Sequence, residues 1–378
     1  MLDGALMPKI EEIYTKIFSE LVRFAGVPPK VKLKTIELTK ERQETQFPRL
    51  KSVMRSAPEV LPLHGRSFIT RFTCENNVYL AINLNNLAKH EKEIVSDHFL
   101  ELGICEYEIE ECFFLYLRYH LEGIYHLKPE FSSKEFADNV LSICEFPDYA
   151  GHDISDLISY HADIAVYEIS KNSIYTKSSL WSIASNLTAS SATLRAPHID
   201  DGLALKLNKI QMDSPQLSEN IYTALTSLHW KYTFFEMYKC IEALFFLPFG
   251  LRAKTALKLN TALDAHLLIS EVTKNFKEKE KDSIIALFEL IDQNIISSIS
   301  NRNIKSFKEL EASPTHINIA TRIYKIRNQL VHQADYEDRT PLDLKNENWP
   351  ALIELLIELI SYLYSSHQLE ITRSSKTH

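Results

Sequence analysis

In the stretch YKIRNQLVHQ, Tyr324 to Gln333, a guanidinium (Arg327), an amide (Asn328) and an imidazole (His332) stand among Tyr324, Ile326, Leu330 and Val331. A guanidinium is a permanent cation whose planar fork grips a phosphate or carboxylate in a bidentate way. An imidazole titrates near neutral pH and carries protons. Residues on a helix advance about 100° per step, so Asn328 and His332 share nearly one face, while Arg327 and His332 stand about 140° apart and flank a cleft. Ile323, Ile326, Leu330 and Val331 supply the packing face expected of that helix. A polar cluster that merely fixes helix register would use the same residue types.

Glu242 makes a matching demand. It lies among Ile241, Ala243, Leu244, Phe245 and Phe246. A carboxylate buried there costs several kcal/mol unless it is paired. Arg327 or His332 is the expected partner. Tyr238, one turn earlier, shares the face of Glu242, and Tyr238, Tyr324 and Lys325 are the expected substrate contacts.

The surrounding elements follow from patterning. Residues 9–25 have helical spacing, VKLKTIEL from Val31 alternates as a strand, and SFITRFTCENNVYLAINL reads as a hairpin turning at Glu75-Asn76-Asn77. A helical run is expected from about 91 to 127, then strands around a Lys171-Asn172 turn, then alternation in DGLALKLNKIQM. Beyond Ser214 the chain reads as helices. Ser214-Pro215 and Ser313-Pro314 are start signals, Pro248-Phe249-Gly250 a stop, KDSIIALFELIDQNIISSI one helix, and Asn348-Trp349-Pro350 opens the last. The expected architecture is a mixed α+β domain over residues 1–205 followed by an all-α bundle over 206–378.

RNQLVH, Arg327 to His332, on a late helix resembles the R-x4-H signature of HEPN domains. WKYTFFEMYKCIEALFFLPF is similar to the aromatic-rich long helix with a buried acid found in HEPN proteins of the ApeA-like kind. The resemblance covers roughly residues 210–370. It implies an all-α HEPN-like bundle and a metal-independent endoribonuclease that needs no cofactor. The ribose 2′-OH attacks and leaves a 2′,3′-cyclic phosphate. His332 would shuttle the proton, Arg327 would stabilise the phosphorane charge, Asn328 would orient a phosphate or His332, and Glu242 would position Arg327 or set the protonation of His332. The family further implies a homodimer whose motif helices face one another across a two-fold axis, RNA as partner, and a toxin-like role in anti-phage defence and abortive infection. Residues 1–205 are then expected to sense a trigger or bind a regulatory protein.

Bulk properties agree with that reading. The chain has 378 residues, 45% hydrophobic and 24% charged, with only 8 Gly, so a folded protein is expected rather than a disordered one. The start MLDGALMPKIEEIY has no signal-peptide pattern and no apolar run spans a membrane, which suggests a cytoplasmic protein with reduced cysteines. The formal charge is −8, yet residues 201–330 hold 17 Lys+Arg against 14 Asp+Glu, so the motif sits in the one mildly basic section. The KNFKEKEKD run alternates in sign and reads as a solvated helix start or loop, able to contact RNA backbone if it borders the cleft.

Three rivals remain. One is a catalytically silent HEPN-like module for dimerisation or partner binding. Another is a metal-dependent phosphohydrolase built on His152-Asp153 with His120, His126, His161 and Asp163, although His161 and Asp163 read equally as an exposed pair. The third is cysteine catalysis, for which Cys112 and Cys240 are poorly suited because both lie in apolar runs.

Overall fold

Glu75 and Asn76 take positive φ, 51° and 67°, and close the expected hairpin between Phe68–Cys74 and Asn77–Asn83. Short polar side chains tolerate this left-handed backbone. The two strands are β2 and β3 of an antiparallel sheet that also holds β1 (Glu59–Pro62), β4 (Ile104–Tyr107) and β5 (Ile164–Ile169), in the order β1-β2-β3-β5-β4. The computed structural model describes residues 9, 12–13, 15–17, 19, 23, 40–63, 67–83, 87–121, 127–128, 130–142, 147–148, 154–161, 163–256, 280–310, 314–332, 342 and 344–371. The strand expected from Val31, His126, Cys144, the Gly151-His152-Asp153 segment, residues 274–279 and Ser313 lie outside the described residues.

The chain divides into two units, Met1–Leu180 and Trp181–His378. In the first, α1 (Lys40–Val53), α2 (Lys89–Glu101) and α3 (Glu111–His120) accompany the sheet. α1 packs on α3 and β2, and α2 on β4. Phe113 of α3 drives the packing, with its ring 5.1 Å from Phe72 and 4.8 Å from Tyr79. The expected single helix from 91 to 127 is interrupted. Gly103, at φ 72°, ends α2 and sends the chain into β4. The acidic stretch 101–111 is partly neutralised, since Glu110 pairs with Arg49 at 2.7 Å. After β5 the turn at Lys171-Asn172 leads to a 3-10 turn, Ile174–Thr176, instead of a second strand.

His161 and Asp163 do not form an exposed pair. Asp163 meets Lys128 at 2.9 Å, whereas His161 is fully buried with Nδ1 2.7 Å from the Leu157 carbonyl. Burial first, and then the nearby Arg118 charge, push His161 from 6.5 down to about 3. The folded unit therefore refuses a proton that the unfolded chain accepts. Its contribution is intact above pH 6.5 and is lost as pH falls from 6.5 toward 3, by about 1.4 kcal/mol per pH unit at most. Thermal unfolding between pH 7.5 and 4.5 should show this decline, and His161→Gln should flatten it.

The second unit is largely helical: α4 (Leu180–Ser190), α5 (Asp201–Asp213), α6 (Ser218–Thr226), α7 (Trp230–Glu242), α8 (Leu247–Ala256), α9 (Glu280–Phe288), α10 (Gln293–Ser298), α11 (His316–His332) and α12 (Trp349–Ser366). The division at Leu180 falls earlier than the expected boundary near 205, because α4 belongs with the bundle. Its Trp181 packs on Tyr222 at 5.5 Å and its Ser182 bonds Gln211. DGLALKLNKIQM is the helix α5 and not a strand. Asp200 caps it by accepting from the Leu203 amide at 2.8 Å, and Leu203, Leu207 and Ile210 face inward.

The helix expected from Ser214 to Leu247 is broken at Ser227–His229, and Pro248 and Gly250 fall in the first turn of α8, where Pro is accepted. KDSIIALFELIDQNIISSI splits into α9 and α10 where Asp292 caps the latter, accepting from the Asn294 amide at 2.7 Å. A long helix starts at Asn348-Trp349-Pro350 as expected, and a single further turn, Gln368–Ile371, follows it. α7 and α12 form the bundle centre, α7 also packs on α6 and α11, and α9 packs on α11.

Candidate functional site

Thr315 opens α11, its hydroxyl accepting from the Asn318 amide at 3.2 Å. Ile319, Ile323 and Ile326, spaced by four and three, are fully buried and fix which face of α11 meets the core. This sets the azimuth of the motif. Arg327 comes out at the edge of the packed face with its side chain 25% exposed. Asn328 is buried, and its Oδ1 accepts from Arg327 Nη1 at 2.9 Å. Leu330 is half-buried, but Val331 is 46% exposed and leaves the packing face to which its apolar character assigned it. His332 is the last described residue of the helix, and its imidazole lies outside the described residues.

The carboxylate on Arg327 is that of Glu280 of α9, at 3.4 Å. Among the described residues no ion pair joins Arg327 to Glu242, the partner expected from sequence. Glu242 lies at the end of α7 and is exposed. Partial burial and the Glu280 charge push its carboxyl up, against the pull of Arg327 and Lys239, so it belongs to the electrostatic surroundings of the cluster. The buried acid of α7 is Glu236, 8% exposed, held by Asn220 at 3.0 Å and Lys239 at 2.6 Å.

Tyr238 joins the cluster from below. Its hydroxyl donates to the same Glu280 Oε1 at 3.0 Å, and the Arg327 guanidinium lies 5.8 Å from its ring centre. Burial and the Glu280 carboxylate hold the phenol well above its ordinary value, so it stays a donor. At 2% exposure the ring presents no face to a substrate, so Tyr238 positions the pair instead of touching a ligand. Tyr324 is half-buried against the core. Lys325 lines a separate open depression of about 410 Å3 with Glu309, Asn318, Arg322 and Leu342.

Glu280 and Gln329 escaped sequence reasoning. Glu280 hid in the alternating KEKEKD run; the signal was the apolar period Ile284, Leu287, Phe288, which puts Glu280, one turn before Ile284, on the inward side of that helix. Gln329 accepts from the Leu342 amide at 2.9 Å and donates to its carbonyl at 2.7 Å, tying the chain after the motif back to α11.

The arrangement is a cation held by an amide, a carboxylate and an aromatic face, with part of its donor fork uncommitted among the described residues. Cys112 and Cys240 are buried, and burial pushes both thiols up; Cys105 is exposed. Among the described residues no group of three or more His, Cys, Asp or Glu is placed to hold a metal ion, and no helix is long and apolar enough to cross a membrane. No family model, curated protein or solved structure matches the chain.

Proposed function

We propose that the second unit is a metal-independent endoribonuclease of the HEPN kind, cutting RNA to 2′,3′-cyclic phosphate ends. The observation that carries this reading is Arg327, half-withdrawn from solvent and held by Asn328, Glu280 and Tyr238, five residues ahead of His332 on one helix. A positioned guanidinium suits the phosphorane charge. The nearby imidazole on the same helix suits proton transfer at neutral pH.

A homodimer belongs to this reading. Ile317 and Val331, 54% and 46% exposed, and the half-buried Tyr324 repeat every seven residues along α11. That spacing is the period of a helix–helix seam, and it runs beside Arg327. Two such helices facing across a two-fold axis would bring two copies of Arg327 and His332 into one cleft. The proposal extends to a cytoplasmic enzyme acting in anti-phage defence, with the first unit receiving the trigger or a regulatory protein.

The test is cleavage of total RNA by the purified chain in EDTA, with product ends assayed for cyclic phosphate. His332→Ala should lose the activity by about 10²–10⁴-fold. Val331→Asp should halve the solution mass and lose activity with it. EDTA-resistant cleavage that persists in His332→Ala would reject the assignment.

A further inference from the structure

The phrase SLHWKYTFFE at the start of α7 has no role in the Arg327 cluster. It forms a surface of rings around one ammonium, that of Lys231. Tyr232 is 51% exposed and Leu228 60% exposed. The Lys231 ammonium lies 5.9 Å from the ring centres of both Tyr232 and Phe235. The His229 ring is 6.3 Å from Tyr232, and His198 packs edge-on against Trp230 at 4.3 Å. The one nearby acid on this helix, Glu236, is buried and already paired with Asn220 and Lys239. The surface is therefore aromatic and basic, without an open carboxylate of its own helix beside the rings.

We infer that this surface is a stacking platform for unpaired bases of a single-stranded RNA, with Tyr232 as the ring that carries a base and Lys231 facing the backbone. Base–aromatic stacking beside a cation is the general device for holding single strands without reading sequence. Charge complementarity at Lys231 favours a polyanion.

The position along α7 fits. Lys231, Phe235, Tyr238 and Glu242 follow at i, i+4, i+7 and i+11, one edge of the helix. Tyr232 is six residues from Tyr238, about 9 Å along the axis at 1.5 Å per residue. The two residues also stand about 120° apart around the axis, so a strand stacked on Tyr232 would wind across the helix to approach Arg327. The inference rests on the ribonuclease reading for its choice of ligand.

The experiment measures binding of a fluorescent twelve-nucleotide 2′-deoxyuridine strand, which lacks the attacking hydroxyl, to the full chain by anisotropy. A structured RNA hairpin with a two-base loop serves as the comparison. Tyr232→Ala should weaken the single strand about tenfold, Tyr232→Phe should retain it, and the hairpin should bind poorly throughout. Equal affinity of wild type and Tyr232→Ala, or no binding by wild type, would overturn the platform. So would a change of solution mass in Tyr232→Ala with affinity unaltered, which would make the surface a contact between copies. Tyr232-dependent binding without any RNA cleavage would leave the platform standing and reject the ribonuclease assignment. Cleavage indifferent to Tyr232 would do the reverse.

Discussion

Arg327→Ala is expected to reduce RNA cleavage by roughly 10²–10³-fold, the cost of removing one preorganised charge-stabilising group. Thermal stability should change little, by about 1 kcal/mol or less, because the side chain is partly open to water and its ion pair is screened. That separation of activity from stability distinguishes a working cation from a structural one. Arg327→Lys should not restore the rate. A lysine has no planar fork, so it cannot bond Asn328, lie beside the Glu280 carboxylate and still present donors in one plane. Glu280→Gln should give an intermediate loss. It keeps an acceptor for the Tyr238 hydroxyl but removes the charge that holds the guanidinium. If all three variants cleave at the wild-type rate in EDTA, the Arg327 cluster has no part in the cleavage.

The second large effect is on stability and belongs to Glu347. This residue is 8% exposed, and its carboxylate accepts three backbone amides, those of Lys305, Ser306 and Asn348, each at 2.8 Å. It thereby pins the 3-10 segment Lys305–Leu310 to the start of α12, and that segment in turn packs on α11. Glu347→Ala strands donors in the interior and should cost roughly 3–5 kcal/mol. For a unit of this size that is a fall in Tm of roughly 10 °C. Glu347→Gln keeps one acceptor oxygen and should recover part of the loss. Calorimetry on the three proteins tests the order wild type, Gln, Ala. Because α11 leans on the pinned segment, cleavage by the Ala variant should also fail at a lower temperature than that of wild type.

What the sequence disclosed and what it hid have physical causes. The β2–β3 hairpin was legible because two strands with clear period and an Asn-containing turn specify it locally. The start of α12 was legible because Pro at the second helical position is a strong local device. The helix α5 was misread because Leu203, Leu205 and Leu207 mimic a period of two. Leu205 is 67% exposed, so the true period is set by Leu203, Leu207 and Ile210, and Asp200 was the overlooked cap. In the site, Arg327, Asn328 and His332 were visible because they share one helix. Glu280 was not, since nothing local tells an acid in a run of alternating charges that it will meet an arginine 47 positions later. Glu242 was chosen over it because apolar neighbours in sequence suggest burial, whereas the end of α7 turns that residue outward.

Glu280 Oε1 is one atom that serves two other helices: it accepts from the Tyr238 hydroxyl of α7 and pairs with the Arg327 guanidinium of α11. The motif helix itself is locked by three buried isoleucines. Displacement of that single oxygen would release the guanidinium and the Tyr238 hydroxyl together without disturbing α11. The cluster can thus be assembled or dismantled by whatever moves α9. Amide exchange across Ile284–Phe288, compared with and without bound nucleic acid, would read the occupancy of the assembled state directly.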